Sequence, residues 1–285
     1  MISIPPDVLA IALRIVLVGG GIYLAFCVLL WALQERLIFH PQPLTYPPFH
    51  PAADSVEIHN AGEILRGWIV NERSGGPLVV YFGGNAEEVS GNIPRWANFP
   101  ATAVLMNYRG FGQSTGTPSQ RNLVDDARAI VHWVRQRHPD RPLVLFGMSL
   151  GSGVAALAAA DTSPDALVII SPYRSVEHIA RSRFPIFPIR WLLRHPFDAE
   201  SVAATMPRTL AFASPSDLVI PFSESTAMVE ALGERVEFHQ YDLAHNAFLE
   251  HAPLWGEVRD FLSPYTTPQR RHDDRRQPDR SGTVP

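Results

Sequence analysis

The sequence of 285 residues contains no lysine: all 24 of its basic residues are arginine. No lysine amine is therefore available for a Schiff base, a Ser–Lys dyad or a phosphate-binding loop. Cysteine is almost absent as well, since Cys27 is the only one. A single cysteine excludes an internal disulfide and a cysteine-based zinc cluster. The chemistry left to this sequence is that of serine, histidine, aspartate and glutamate.

An excess of positive charge is also missing, because the formal net charge is −4. We therefore expect no nucleic-acid partner. Hydrophobic residues make up 46% of the sequence, and charged residues 18%, which is an ordinary balance for a protein that buries a core. No sequence pattern points to a metal or another cofactor, and we expect neither.

Residues 15–33 form an uninterrupted run of uncharged, mostly apolar residues. As a helix, this run would reach roughly 28 Å, close to the ~30 Å thickness of the hydrocarbon core of a bilayer. Trp31 lies near its end, where aromatic anchors are common. A cleaved signal peptide is the alternative, but the run is too long and no small-x-small cleavage site follows it. We therefore predict an uncleaved transmembrane anchor within residues 1–36.

The arginines that flank the run favour neither orientation strongly. Arg14 precedes the run, and Arg36 follows it beside Glu35. The positive-inside rule therefore gives almost no difference between the two orientations. We predict the one with the amino terminus inside and the following domain outside. The expected protein is a single-pass protein of a bacterial inner membrane, with its domain outside the cytoplasm.

Three further segments are predicted after the anchor: a linker over residues 37–53, a folded domain over 54–263 and a tail over 264–285. The tail is rich in Pro, Arg, Asp, Gln and Thr, a composition typical of disorder. Its five Arg against three Asp would permit contact with anionic lipid, but a solvated tail is the simpler interpretation.

Within the domain, short apolar runs alternate with helical patterns. Residues 56–58 and 65–70 are predicted to open it as a hairpin. Six later runs have the composition of buried strands: 78–82, 103–107, 143–146, 167–170, 210–213 and 236–241. Helices are predicted over 119–138, 151–160 and 253–262. This alternation predicts an α/β domain whose mainly parallel sheet is covered by helices on both faces.

Residues 147–151 read Gly-Met-Ser-Leu-Gly, the pattern G-x-S-x-G. An apolar run leads directly into the pattern and a helix of small residues leaves it, which is the strand–turn–helix that a nucleophile elbow requires. The glycines permit the tight turn, and the N-terminus of the new helix favours a developing negative charge. Ser149 is therefore the predicted nucleophile, and an ordinary helix N-cap is the alternative.

A serine nucleophile needs a base, and the base needs an acid that orients it. After a nucleophile elbow the expected chain order is Ser, acid, His. Asp217 lies just past the run 210–213, in a loop at the predicted carboxyl edge of the sheet. It is the preferred acid, although its turn-forming neighbours leave a local turn role open. Asp198 precedes that run and Asp242 lies at the end of the next, so both are poorer candidates.

His245 is the preferred base among eleven histidines. It directly follows the last apolar run, on a loop that reaches the carboxyl edge of the sheet. His239 lies within that run, and His251 begins the terminal helix. An ordinary surface histidine is the alternative for His245. The predicted catalytic set is therefore Ser149, Asp217 and His245.

Backbone N–H groups are predicted to bind the oxyanion of the reaction. One belongs to Leu150, the residue after the nucleophile, and the other to the loop after the run 78–82. This loop reads Gly83-Gly84-Asn85-Ala86, and Asn85 is the predicted donor. A simple glycine turn is the alternative.

With these residues in place, the sequence resembles the membrane-anchored α/β-hydrolases of the bud-emergence type, which are related to animal acyl-protein thioesterases and lysolipid lipases. The resemblance covers about residues 34–262. Besides the elbow and the segments around the predicted acid and base, it rests on Gln-Glu-Arg-Leu-Ile-Phe-His-Pro at 34–41, Tyr-Phe-Gly-Gly-Asn-Ala at 81–86 and Asn-Tyr-Arg-Gly-Phe-Gly-Gln-Ser at 107–114. It implies the α/β-hydrolase fold and a serine hydrolase activity.

Two details of these motifs bear on the site. The family usually has His-Gly-Asn where this chain has Gly83-Gly84-Asn85, so the loop lacks an imidazole but keeps its backbone donor. Arg109 and its glycines are expected to be structural, in a turn that closes the preceding strand.

In this fold an insert such as residues 172–198 typically forms a small helical cap over the site. Its apolar side chains predict a substrate pocket that includes Phe184, Phe187 and Trp191. Together with a membrane anchor, such a cap predicts a small-molecule or lipid acyl substrate: an ester, a thioester or a lysolipid. A packed helix pair that never meets the substrate is the alternative for the insert.

Two other functions stay open at this point. A peptidase of the aminopeptidase type would share the triad and the oxyanion hole, and only the cap would differ. A non-catalytic membrane scaffold is suggested by Gly83, although such proteins tend to lose triad members and all three are present here.

Overall fold

The computed structural model describes residues 5–266. The helices are α1 (Pro6–Ile38), α2 (Ile93–Ala97), α3 (Gln120–Arg137), α4 (Leu150–Thr162), α5 (Val176–Arg183), α6 (Ile189–Leu192), α7 (Phe222–Leu232) and α8 (Ala252–Leu262). The strands are β1 (Ala53–Asn60), β2 (Glu63–Val70), β3 (Leu78–Phe82), β4 (Thr102–Met106), β5 (Leu143–Met148), β6 (Ala166–Ile170), β7 (Thr209–Ala213) and β8 (Val236–Gln240). Of the predicted tail, residues 267–285 lie outside the described residues, and Ser263–Tyr265 form a single 3₁₀ turn at its start.

All these strands form one sheet, in the order β1-β2-β4-β3-β5-β6-β7-β8. The pairs β1–β2 and β2–β4 are antiparallel, and the other pairs are parallel. The predicted opening hairpin and the mainly parallel sheet are therefore confirmed, and each predicted apolar run overlaps one strand. Parallel pairing needs a crossover between strands, and helices supply it.

Helices cover both faces of the sheet, as predicted. Successive side chains of β3 point to opposite faces, because a strand has a period of two residues. Leu78 and Val80 join a core cluster with residues of α3, α4 and α7, whereas Val79 and Tyr81 join a second cluster with residues of α2 and α8. The carboxyl ends of the parallel strands are therefore held rigidly between two packed layers.

Helix α1 is longer than the predicted apolar run at both ends. It begins with Pro6, whose fixed φ suits the first turn of a helix, and ends before the extended residue Phe39. Within the described residues, α1 is the one helix long and apolar enough to cross a membrane. Only 6% of its most apolar stretch is buried, unlike a helix in the core of a soluble domain.

The predicted linker over residues 37–53 is attached to the domain at its centre. The Gly112 N–H donates to the Gln42 carbonyl over 2.7 Å, and the Leu44 N–H donates to the Gly112 carbonyl over 3.3 Å. The chain that follows α1 is therefore tied to the turn after β4.

Candidate active site

Ser149 occupies the turn between β5 and α4 in a strained backbone conformation, with φ 53° and ψ −119°. A non-glycine residue rarely adopts a positive φ, and such strain concentrates at functional sites. The flanking glycines make the turn possible, because a Cβ on Gly147 would overlap the Gly151 carbonyl and a Cβ on Gly151 would overlap the Phe82 carbonyl. The G-x-S-x-G pattern is therefore a steric requirement of this turn.

The structure brings the three predicted catalytic side chains together. The Ser149 hydroxyl lies 2.9 Å from Nε2 of His245, and Nδ1 of His245 lies 2.7 Å from Oδ2 of Asp217. Ser149 follows β5, Asp217 lies in the loop after β7, and His245 lies in the segment after β8. All three positions are at the carboxyl edge of the sheet, where α/β folds place their sites. The rejected candidate Asp242 instead accepts a hydrogen bond from Ser216.

Asp217 is fixed by several donors besides His245. Its Oδ1 accepts the N–H groups of Val219 and Ile220, each over 2.8 Å, and its Oδ2 accepts the Ser171 hydroxyl over 2.8 Å. Burial alone would raise the pKa of Asp217, but hydrogen bonds from His245, Ile220 and Ser171 outweigh it, and the pKa lies below its usual value. The carboxylate is therefore ionised and held in one orientation toward the imidazole.

Sequence reasoning missed Ser171. It directly follows β6, it is fully buried, and its φ is 48°. The sequence shows only that Ser171 follows an apolar run; that this strand lies beside β5 is known from the sheet order alone.

The two predicted oxyanion donors flank the nucleophile. Leu150 begins α4, so its N–H is among those that a helix leaves without an internal acceptor. Asn85 and Ser149 line the same cavity, and a Cβ on Gly84 would lie 3.9 Å from the Ser149 Cβ. Among residues 5–266, the backbone N–H groups of Leu150 and Asn85 have no hydrogen-bond partner. Both are therefore available to a ligand.

Glu87 organises the loop that carries Asn85, and sequence reasoning missed it. Its carboxylate accepts the Gly84 N–H over 2.8 Å, the Tyr81 hydroxyl over 2.8 Å and the Asn92 amide. Burial, and then the charge of Glu87, raise the pKa of Tyr81 well above its usual value, so this phenol remains a donor. A Cβ at Gly83 would lie 3.0 Å from the Glu87 carboxylate. Glycine at position 83 thus leaves room for the Glu87 carboxylate.

The same loop is bonded to the end of α1. The Asn85 side-chain amide donates to the Ile38 carbonyl over 3.1 Å, and the His40 N–H donates to the Asn85 carbonyl over 2.9 Å. Asn85 therefore joins the apolar helix to the cavity at Ser149.

This cavity has a volume of about 400 Å³, and Met148, Val219 and Leu249 supply apolar parts of its wall. None of the predicted pocket residues lines it. Phe184 lines a different cavity, against α1; Phe187 stacks on Tyr23; and the Trp191 side chain is exposed. The reason is that the insert folds into α5 and α6, which pack on α1 instead of closing over Ser149.

One group of side chains outside this cavity has the composition of a metal site. Ligand atoms of Glu237, His239 and Glu257 lie within 4.8 Å of one another. His239 lies 3.2 Å from Glu237 and 3.8 Å from Glu257, so these groups already interact with each other.

Comparison with known proteins agrees with this architecture. The family described as Serine aminopeptidase, S33, matches residues 93–202. An uncharacterized protein of Mycobacterium tuberculosis H37Rv is 32% identical over 232 residues, which are 77% of this chain and 81% of that protein. The lysophosphatidylserine lipase ABHD12 of Bos taurus is 28% identical over 176 residues, which are 56% of this chain and 44% of the lipase.

A solved structure has the same fold. The Pyrococcus furiosus esterase Pf2001 superposes with a TM-score of 0.63 at 17% sequence identity, over 80% of this chain and 98% of the esterase. The sheet order, the strained serine after β5 and these similarities agree, and the chain belongs to the α/β-hydrolase superfamily.

Proposed function

We propose that this protein is a membrane-anchored serine hydrolase that cleaves the acyl bond of an ester, a thioester or a lysolipid. The observation that carries the proposal is the continuous hydrogen-bonded chain from Ser149 through His245 to Asp217, with distances of 2.9 and 2.7 Å. A hydroxyl, an imidazole and a buried carboxylate in this order form the arrangement that activates a serine nucleophile.

Each residue has a defined role in the reaction. The Ser149 oxygen attacks the carbonyl carbon of the substrate while Nε2 of His245 takes the hydroxyl proton. The ionised Asp217 stabilises the imidazolium and fixes its orientation. The carbonyl oxygen becomes an oxyanion, and the N–H groups of Leu150 and Asn85 stabilise it.

The acyl-enzyme then forms and is hydrolysed. The tetrahedral intermediate collapses, the bond to the leaving group breaks, and His245 returns its proton to that group. A water molecule, deprotonated by His245, attacks the acyl carbon, and the carboxylic acid leaves as Ser149 regains its proton. The net reaction is hydrolysis, and it needs no cofactor.

The proposed substrate class rests on three observations. Two similar proteins are named as a lysophosphatidylserine lipase and as an esterase. Helix α1 is apolar enough to cross a membrane and is bonded to the loop of Asn85. The cavity at Ser149 has apolar wall residues. A membrane-bound site with apolar walls suits acyl lipids, although the fold alone does not decide the substrate.

Labelling with a fluorophosphonate tests the proposal, because such a probe reacts with an activated serine. We expect the membrane-bound wild type and the control Ser223→Ala, an exposed serine on α7, to be labelled equally, and Ser149→Ala to stay unlabelled. Hydrolysis of p-nitrophenyl butyrate should fall by about 10⁴-fold or more in Ser149→Ala. Hydrolysis at an unchanged rate would contradict the proposal, and a folded but unlabelled wild type would favour a scaffold.

A peptidase is the second candidate, because the matching family is described as a serine aminopeptidase. The proposed nucleophile, base and acid would be the same residues. A panel that compares aminoacyl-p-nitroanilides with p-nitrophenyl acyl esters separates the two functions. We expect the acyl esters to be the better substrates.

A further inference from the structure

The second half of α1 packs against the cap formed by α5, α6 and the segment between them. Gln34 is 5% exposed and makes the central contact. Its side-chain amide donates to the Leu192 carbonyl over 3.1 Å, and its oxygen accepts the Arg194 N–H over 2.6 Å. Farther along α1, the Tyr23 hydroxyl donates to the Ile186 carbonyl over 2.8 Å. The apolar helix α1 and the cap are thus packed against each other and joined by hydrogen bonds.

Between α1 and the cap lies a cavity of about 180 Å³, which we name the anchor–cap cleft. Apolar side chains of α1 and of the cap form most of its lining, among them Leu30, Leu37, Ile38, Ile179, Ala180 and Phe184. An apolar cavity of about 150 Å³ takes up a molecule such as benzene. The anchor–cap cleft is therefore large enough for part of one hydrocarbon chain, and too small for a whole lipid.

Two contacts join the anchor–cap cleft to the cavity at Ser149. Ile38 lines the cleft, and its carbonyl accepts the side-chain amide of Asn85, which lines the cavity at Ser149. Arg183 also lines the cleft and donates to the carbonyl of Val219, which lines the cavity at Ser149, over 2.8 Å. The two cavities are therefore adjacent, with lining residues of one hydrogen-bonded to lining residues of the other.

The cap also reaches the depth of the apolar run. Tyr23, which touches the cap at Ile186 and Phe187, lies inside the run 15–33 that is predicted to span the membrane. Ile186 and Trp191 are 72% and 85% exposed, as suits side chains that face lipid. Exposed apolar side chains and the arginines of this segment favour a location at the membrane interface.

We infer that the acyl chain of the substrate lies in the anchor–cap cleft while its carbonyl carbon lies at Ser149. The membrane helix is then a wall of the substrate site, and a single-chain lipid reaches the serine from the bilayer along the anchor–cap cleft. This inference rests on the proposed hydrolase function, and it names the substrate class as single-chain acyl lipids. Because each buried methylene favours binding by about fourfold, long acyl chains should be preferred.

Filling the cleft tests the inference. We compare kcat/KM for p-nitrophenyl decanoate with that for p-nitrophenyl acetate, in full-length protein in detergent. Ala180→Trp places an indole in the cleft, and Ala25→Trp makes the same change on the exposed side of α1. We expect the ratio of decanoate to acetate to fall about tenfold or more in Ala180→Trp and to stay at the wild-type value in Ala25→Trp. An unchanged ratio in Ala180→Trp would overturn the inference.

A binding measurement separates this inference from the proposed reaction. A lysophosphatidylcholine with a diazirine at the end of its acyl chain is crosslinked to Ser149→Ala, which cannot turn it over. We expect crosslinked peptides from 30–38 and 176–193, and a loss of these crosslinks in Ser149→Ala/Ala180→Trp. Crosslinks confined to other parts of the chain would overturn the inference. Absence of fluorophosphonate labelling in the wild type would instead contradict the proposed reaction.

Discussion

Asp217 orients an imidazole through a single hydrogen bond, and its removal has a distinct expected effect. Asp217→Asn preserves the shape of the side chain but presents an amide that stabilises neither the required tautomer nor the imidazolium. We expect kcat for p-nitrophenyl butyrate to fall by about 10⁴-fold. Asp242→Asn is the matched control, since that carboxylate bonds Ser216 and should leave kcat near the wild-type value. A similar kcat in both variants would contradict the assignment of the acid.

The lowered pKa of Asp217 also predicts how its contribution to stability depends on pH. A carboxylate whose pKa is lower in the folded state stabilises the fold above its unfolded pKa, about 3.9, and this contribution is lost as the pH falls through the folded value. The unfolding free energy of Asp217→Asn should therefore differ most from that of the wild type at neutral pH, and the difference should shrink below about pH 4. Tryptophan fluorescence during denaturant unfolding at several pH values measures this difference, and one that grows on acidification would contradict it.

Arg109 and Asp126 form a buried ion pair that holds the turn after β4 against α3. The guanidinium makes two hydrogen bonds, of 2.6 and 2.7 Å, to the carboxylate. Asp126→Ala leaves a buried, unpaired arginine, and we expect it to lower the unfolding free energy by about 3–5 kcal/mol. Asp125→Ala removes a partly exposed carboxylate on the same helix, and should cost at most about 1 kcal/mol. Equal losses in the denaturation midpoints of both variants would contradict this difference.

The sequence was informative about where the candidate site residues lie. The position of Ser149 was predictable because its glycines and the flanking strand and helix are local, and those of Asp217 and His245 because each follows an apolar run. Glu87 and Ser171 could not be assigned in this way. Their roles depend on which loops meet at the sheet edge, and the folded chain alone determines that.

The helices and strands were predictable to different degrees, because only some of them have a clear local hydrophobic pattern. Long amphipathic α3 and the fully apolar strands have clear periodicity. Helix α2 has only five residues, and α7 places the polar residues Glu224 and Ser225 among its buried positions, so neither gives a clear hydrophobic pattern. The insert 172–198 was predicted as a cap over the serine, but its packing against α1 depends on contacts such as that of Gln34, which no periodicity reveals.

The hydrogen bonds of Gln34 to the cap lead to a prediction about how often the cap opens away from α1. Gln34→Ala leaves the Leu192 carbonyl and the Arg194 N–H without these partners in a largely buried contact. Unsatisfied groups of this kind cost about 1–3 kcal/mol, so local opening should become about tenfold more frequent. We expect trypsin to cleave the cap at Arg181 and Arg190 correspondingly faster than in the wild type.

The control for this measurement is Gln136→Ala, which removes an exposed glutamine from α3. Its cleavage rate should match that of the wild type, because this exposed side chain is far from the cap in sequence and its hydrogen bond is to His132 of its own helix. A cap that is cleaved at the same rate in both variants would contradict the role of Gln34.

At the scale of the whole molecule, the relation of the domain to the membrane was only partly predictable. The apolar run predicted a spanning helix, and the structure has a helix there that is long and apolar enough to cross a membrane, with its apolar stretch 6% buried. No sequence pattern indicated that the same helix continues into the predicted linker and reaches the loop of Asn85. This continuity explains why the segment 34–41 belongs with the site: it includes Gln34, Ile38 and His40, which contact the cap and that loop.

The predicted orientation of the domain relative to the membrane is a further prediction about the whole molecule, and the sole cysteine makes it testable. Cys27 is buried in α1, so an impermeant maleimide should not label the wild type in intact spheroplasts. Ser223→Cys in a Cys27→Ser background places one thiol on the exposed surface of α7. Because the predicted orientation puts the domain outside the cytoplasm, this variant should be labelled in intact spheroplasts as strongly as after lysis. Labelling only after lysis would reverse the orientation, and would place the proposed substrate site on the cytoplasmic leaflet.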